Sequence, residues 1–285
     1  MPADVLGRLV VVCSDGHGII AAISGELARA GANITSSHQH STDAAGGTFF
    51  LRMEFELEQL DARLPAIAAG LQPVAERFNM RWHLSRSDQR KRVAIFVSRY
   101  DHCLIDLLSR WRTGQLPMDI VAVVSNHADL RQQVAAYDLP YHHIAVTPET
   151  KPVAEKAQLD LLVGKVDLVV MARYMQILSA RFLDEIGAPV INIHHSFLPA
   201  FAGADPYGRA AARGVKLIGA TAHYATEDLD EGPIIEQDVS RVTHEQDAQT
   251  LQAIGRDIEC IVLARAVGWH LRDRVLVHGN RTIVF

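Results

Sequence analysis

The chain has 285 residues, 48% of them hydrophobic and 21% charged, with a formal net charge of −5. That size and balance exclude a disordered chain and allow one large domain or two ordinary ones. The longest basic stretch is the short "RSDQRKR" near position 90, so charge gives no indication of a nucleic-acid partner.

Cys13, Cys103 and Cys260 lie far apart with no C-x-x-C pair, which suits a reducing cytoplasm and argues against a disulfide framework. The opening residues show no signal-peptide pattern, and no apolar window reaches bilayer-spanning length. A soluble cytoplasmic protein without a membrane partner is expected.

Arg8–Asp15 reads as a short buried strand, and Ile19, Ile20, Ile23, Leu27 and Ala30 set a helical period closed by Gly31. "NITSSHQHST" and "GGTFFLRMEFELE" are consecutive strands around a turn at Ala44–Gly47. The second alternates, with Phe49, Leu51, Met53, Phe55 and Leu57 on one face. A helix over 61–78 and the strand "MRWHLSR" complete a βαββαβ order, the ferredoxin-like unit, over residues 1–85.

A polar linker is expected at 86–92, and from 93 to 285 the rhythm changes to strand, helix, strand, helix. "VAIFVS", "DIVAVVS", "YHHIAV", "VDLVVMA" and "VINIHH" are apolar runs without alternation. Such runs separated by helices predict an α/β domain with a mostly parallel, Rossmann-like sheet covered on both faces. Ligands of open parallel sheets bind beyond the carboxyl ends of the strands.

"VINIHHSFLPAF" places Asn192 and His194 at such an end. Residues i and i+2 of a strand share a face, so an amide donor and an imidazole address one small volume, while His195 points elsewhere or begins the turn. An amide N–H stabilises a developing oxyanion, and a histidine moves a proton near neutral pH. The plain alternative is a strand-end cap and a satisfied buried histidine. Downstream, "ATEDLDEGP" is an acidic loop ended by Gly232-Pro233. Most such loops are simply solvated, but Asp230 is positioned to orient a histidine or a water. Asn, His and Asp together suit attack of water or an amine on a carbonyl-like carbon.

His194, His195 and His223 raise the question of a metal. There is no H-E-x-x-H, and adjacent histidines on a strand diverge, so no catalytic metal is expected. "SRYDHCL" after the first strand of the second half has no glycine, hence no backbone cradle for a phosphate.

"NIHHSFLPAF", "GATAHYATEDLDEGPII", "MARYMQILS" and the closing "GNRTIVF" resemble the formyltetrahydrofolate deformylase family, whose catalytic half has the folate-dependent formyltransferase fold. "DGHGIIAAISGELARAGANI" leading into "SSHQHST" is similar to an ACT domain. The resemblance covers almost the whole chain. It implies hydrolysis of 10-formyltetrahydrofolate to formate and tetrahydrofolate, with the folate as substrate and no separate cofactor.

The family's catalytic Asn, His and Asp match Asn192, His194 and Asp230. Arg173, Met175, Gln176, Ile177 and Leu178 match the segment that lines the folate site, largely through backbone groups; His223 and Glu227 complete the expected substrate-binding set. The implied mechanism has Asp230 hold His194 and the attacking water. Asn192, assisted by His194, stabilises the oxyanion, and a proton reaches N10 as the amine leaves.

Glycinamide ribonucleotide formyltransferases resemble the same fold but carry a glycine-rich phosphate loop where this chain has "SRYDHCL", which favours water as acceptor. "GADPYGRA" departs from the family pattern at Asp205 and Gly208, and "SDGHG" replaces a more usual proline-containing turn. An amino-acid-sensing protein with a degenerate enzyme half is a different reading, against which the intact trio argues. ACT-like domains pair across subunits and bind small amino acids, so a homodimer or homotetramer with an amino-acid effector near Asp15, Gly16, Gly18, Asn33 and Ile34 is expected; pure oligomerisation is the alternative.

Overall fold

Alternation and helical periodicity in the first part of the chain become β1 (Gly7–Ser14), α1 (Ile19–Arg29), β2 (Asn33–Ser41), β3 (Thr48–Glu56), α2 (Leu60–Arg77) and β4 (Arg81–Arg86). The computed structural model describes residues 5–43, 46–199 and 206–285. Ala44 and Ala45 of the expected turn, and Asp205, lie outside them. The four strands form one antiparallel sheet in the order β2-β3-β1-β4, the ferredoxin-like arrangement. Ile19, Ile23 and Leu27 bury one face of α1, and Gly31 ends it at φ +75°. α2 runs through Pro65 and Pro73 and stays docked because Leu60, Ile67, Leu71 and Ala75 are buried.

β3 differs from its alternating pattern, because Phe50 and Arg52 on the opposite face are buried too. Residues near the end of the chain cover that face: the Arg52 guanidinium donates to the Arg272 carbonyl at 3.0 Å. Glu54 lies 2.7 Å from Arg52 and 3.1 Å from Arg8, which also meets Asp273 at 3.3 Å. Polarity alone reads Arg52 as a surface residue, yet buried and paired it is satisfied. The unit that ends at Gln89 accordingly takes in Arg272–Leu276 and Ile283–Phe285. Between β4 and the next strand only Ser87–Arg90 remain outside strands, a shorter connection than the expected linker.

The other unit, Arg90–Leu271 with Val277–Thr282, contains β5 (Lys91–Val97), α3 (His102–Arg112), β6 (Met118–Ser125), α4 (Arg131–Ala135) and β7 (Tyr141–His143). α5 (Lys151–Leu162), β8 (Leu168–Met171), α6 (Ala180–Glu185) and β9 (Val190–His194) follow. Then come α7 (Pro206–Arg213), β10 (Leu217–Tyr224), β11 (Ile234–Arg241) and α8 (Ala248–Leu271). β12 (Val275–His278) and β13 (Arg281–Val284) form a separate two-stranded hairpin.

The main sheet runs β11-β10-β9-β8-β5-β6-β7. Five strands are parallel, and β10 and β11 extend the edge antiparallel. Val93–Val97 of β5 and all of β8 are continuously buried, as runs without alternation require. β5 lies between β6 and β8, so the winding reverses there, and the crevice beyond the strand ends is the place for a ligand. No described helix is long and apolar enough to cross a membrane.

Candidate active site

β9 presents Asn192 and His194 on one face, with Ile193 buried on the other. Antiparallel pairing with β10 sets His223 opposite Asn192 and Thr221 opposite His194. The Asn192 Nδ2 stands 3.1 Å from His223 Nε2, and His223 Nδ1 stands 3.0 Å from the Tyr224 carbonyl oxygen. A carbonyl only accepts, so Nδ1 carries the proton and Nε2 accepts from the amide. Burial lowers the His223 pKa and keeps the ring neutral, which agrees with that tautomer. The hydrogen bond fixes the Asn192 side chain and leaves its second N–H for a ligand.

Asp230 reaches the same point from the loop after β10. Its Oδ2 lies 3.2 Å from His194 Nδ1, and Oδ1 lies 3.7 Å from His223 Nε2. Burial raises its carboxyl pKa, but the hydrogen bond from His194 and the neighbouring imidazoles outweigh burial and hold it below the usual value. His194 is left with a buried Nε2 that has no hydrogen-bond partner among the described residues. An oriented imidazole with one nitrogen on a carboxylate and the other open is suited to proton transfer.

The loop that delivers Asp230 depends on backbone contact. Asp230 adopts φ +60°, which aspartate tolerates, and a Cβ on Gly232 would overlap the Tyr224 carbonyl oxygen. That oxygen already accepts from His223. Gly232→Ala is therefore expected to push the loop outward and lower kcat/KM on the order of tenfold at an unchanged overall fold; kinetics together with circular dichroism check it.

The trio lines a cavity of about 550 Å³ whose wall also includes Arg173, Met175, Gln176, Ile177, Leu178 and His223. Glu227 is exposed and is not among the described residues lining it. The loop carrying Arg173–Leu178 is tied down at several points. Ser98 Oγ accepts the Met175 N–H at 3.0 Å while its hydroxyl donates to Asn126 at 2.6 Å. Glu155 accepts from the Ser179 N–H at 2.9 Å and from its hydroxyl at 2.5 Å. Met175 and Ile177 nevertheless present exposed apolar side chains at the mouth of the cavity, where a flat aromatic ligand would find apolar cover.

A family model described as "Formyl transferase" matches residues 91–267, and one described as "ACT domain" matches 7–69. The formyltetrahydrofolate deformylase of Mycobacterium bovis is 56% identical over 284 residues, covering 99% of this chain and 91% of the relative. That of Bacillus subtilis is 52% identical over 280 residues, covering 98% and 93%. The chain belongs to the formyltetrahydrofolate deformylase family.

A crystal structure of a family member from Pseudomonas syringae superimposes with a TM-score of 0.95 at 48% identity, covering 100% of this chain and 96% of that one. Glycinamide ribonucleotide transformylase 1 from Symbiobacterium toebii reaches a TM-score of 0.65 at 26% identity, covering 69% and 94%. The full-length likeness is thus to deformylases, and the transformylase shares the fold of the larger unit.

Several residues of the deformylase-family cavity escape a reading by motif. Tyr100, Tyr207 and Gln252 line it, and Glu259 lies buried behind Tyr207. For Glu259 a signal exists: it is a lone acid inside "IECIVLARAVGWHL", on the face of α8 that buries Ile258, Val262 and Leu263. Thr221 and Gln237 hold the turn after β9, accepting from Leu198 N and donating to the Leu198 carbonyl, each at 3.0 Å. His195, expected to point elsewhere or begin the turn, follows the end of β9 and lines the same cavity, with its ring 5.1 Å from that of His194.

Burial, with Arg173 and His194 adding to it, pushes the His195 pKa down to about 4. The unfolded chain then binds a proton that the folded chain does not, between roughly pH 6.5 and 4. Folding stability is present above that window and falls as pH drops through it, by up to about 3 kcal/mol from this group. His195→Gln is expected to flatten that part of the acid-destabilisation curve in urea melts between pH 7 and 4.5.

His102, Cys103 and Glu259 bring ligand atoms within 4.8 Å of one another. The Glu259 oxygens are already occupied by Tyr207 and His102, each at 2.7 Å, and the Arg173 guanidinium lies 3.4 Å away. A cation beside an arginine would be repelled, so the donor set fits an ion-pair cluster rather than a metal seat. In the smaller unit a second cavity of about 580 Å³ lies over the first strand–helix turn and is lined by Asp15, Gly16 and Gly18. Asp15 accepts from Gly16 N at 2.8 Å and from the Ser41 hydroxyl at 2.5 Å. Asn33 and Ile34, at the start of β2, are not among its lining residues.

Proposed function

We propose that the chain hydrolyses 10-formyltetrahydrofolate to formate and tetrahydrofolate, with Asn192, His194 and Asp230 as catalytic residues. The observation that carries the reading is the convergence of one amide, one imidazole and one carboxylate on a single cavity wall, with His194 Nε2 and an Asn192 N–H unspent. Water, held by Asp230 and His194, adds to the formyl carbon. Asn192, assisted by His194, donates to the oxyanion, and N10 takes a proton as the C–N bond breaks. Arg173–Leu178 and His223 bind or position the substrate, the backbone of the loop serving the pterin. Glu227 is at most a rim contact.

The transformylase fold likeness supports a second reading, transfer of the formyl group to an amine. The glycine-free turn between β5 and α3 favours water. An assay of formate release from 10-formyltetrahydrofolate, with and without glycinamide ribonucleotide, decides between them: hydrolysis gives formate in either case, transfer requires the ribonucleotide. The reading fails if no formate appears.

The smaller unit is proposed to bind an amino-acid effector in the cavity at Asp15, Gly16 and Gly18 and to join copies of the chain as a homodimer or homotetramer. β2 is an edge strand with mostly exposed side chains, a template for pairing with a second copy. A panel including glycine and methionine, tested on turnover and in sedimentation, separates effector binding from assembly alone. The three free cysteines suit a reducing compartment such as the cytoplasm.

A further inference from the structure

Arg173 belongs to the folate-lining loop through its backbone, and its guanidinium is a buried charge that no step of the hydrolysis uses. It is 6% exposed and stands just beyond β8 with φ +63°, a left-handed backbone that an arginine adopts only under constraint. β8 and β9 pair in parallel with Met171 beside Asn192. Carried two residues further, that register sets Arg173 level with His194, and both line the catalytic cavity. Glu259, 1% exposed, offsets the charge from 3.4 Å, but without hydrogen-bond geometry. Its two oxygens are engaged by the Tyr207 hydroxyl and by His102. The Tyr100 ring packs against the guanidinium at 5.1 Å. Nε and Nη1 of Arg173 have no hydrogen-bond partner among the described residues.

The guanidinium is thus clamped and charge-compensated while its Nε and Nη1 donors have no partner among the described residues. Such a charged N–H donor matches a carboxylate oxygen, with which it makes a charge-assisted hydrogen bond. Hydrolysis makes one carboxylate at this place. The formyl carbon leaves N10 with the oxygen of water, N10 takes one proton, and a second proton goes to solvent, leaving the formate anion. Formate formed beside Asp230 is repelled by that carboxylate and attracted by the guanidinium.

We infer that Arg173, held by Glu259 and Tyr100, is a binding subsite for the product formate. The inference rests on the deformylase reading. Glu259 acts in it as a positioning residue.

Titration of the full-length protein with [13C]formate, without folate, reads binding as NMR line broadening and needs no turnover. Saturable broadening is expected in the wild type, weakened about tenfold or more by Arg173→Met and by Glu259→Gln. In turnover assays the same two variants are expected to raise the inhibition constant of formate by a similar factor and that of tetrahydrofolate by much less. Should Arg173→Met fail to fold, Arg173→Lys and Glu259→Gln carry the test, since a lysine keeps the charge but loses the fixed, planar donors.

Absence of saturable broadening in the wild type overturns the inference, as does wild-type formate binding by folded Arg173 variants. The folate's own glutamyl carboxylate is the other source of the same chemistry. In that case Arg173→Met weakens tetrahydrofolate but not tetrahydropteroate, with formate unaffected, and the product subsite is rejected. Formate binding at Arg173 with no formate released from 10-formyltetrahydrofolate sinks the deformylase reading alone.

Discussion

Asp230→Asn is expected to lower kcat for formate release by about 10²–10⁴-fold, the range for loss of a positioned acid–base group. The amide has the carboxylate's shape but no charge. At 3.2 Å from His194 Nδ1 it no longer holds that nitrogen protonated, nor does it favour an imidazolium formed during proton transfer. Both steps assigned to the pair, holding water and moving its proton, weaken together. The carboxyl pKa is depressed in the folded state, so its stabilising contribution is present above its unfolded value and is lost as pH falls through the folded one. At neutral pH the variant therefore also loses some stability, and turnover must be measured well below its melting temperature. Near-normal kcat in a folded Asp230→Asn protein would remove the central residue of the proposed mechanism.

Asn192→Ala is expected to cost about 10²–10³-fold in kcat, with a smaller change in KM, as removal of an oxyanion donor does. The same change leaves His223 Nε2 without its 3.1 Å partner, next to Asp230 at 3.7 Å. Asn192→Asp keeps the size but replaces the donor with an acceptor and sets a second carboxylate facing Asp230. Its activity should fall at least as far as that of Asn192→Ala. Steady-state kinetics on both variants checks this; if the aspartate variant is the more active, an amide donor is not what the reaction uses.

The large elements were legible in the sequence because each has a strong local cause. Val93–Val97 of β5 and all of β8 are unbroken apolar runs, and α1 ends at a glycine that adopts a positive φ. The pairing of Asn192 with His194 was equally local, since two residues on one strand face need only the period of two. β3 misleads because Arg52 looks like a surface residue until Glu54 and the Arg272 carbonyl meet it, and Arg272 lies 220 residues away along the chain. That His195 begins the turn was one of two placements its position allowed, but its place in the cavity wall was not legible. Strand alternation turns it away from His194, but the chain leaves the strand at His194 and the turn brings the ring back.

By itself the sequence determined the two-part α/β architecture, the strand end that carries the amide and imidazole, and the glycine-free turn that argues for water. These follow from residue periodicity and from which side chains stand beside one another along the chain. The motif already singled out Asp230 among the carboxylates of "TEDLDE", and the tertiary structure showed what brings it to 3.2 Å from His194. Four acids lie within five positions, and the contact of Gly232 with the Tyr224 carbonyl and the αL turn at Asp230 select one of them. It also decided that Glu259, 86 residues from Arg173 and on a different element, lies 3.4 Å from that guanidinium, whose Nε and Nη1 have no partner among the described residues. Long-range placement of a buried charge depends on how helix α8 packs against the sheet, and no local pattern encodes that.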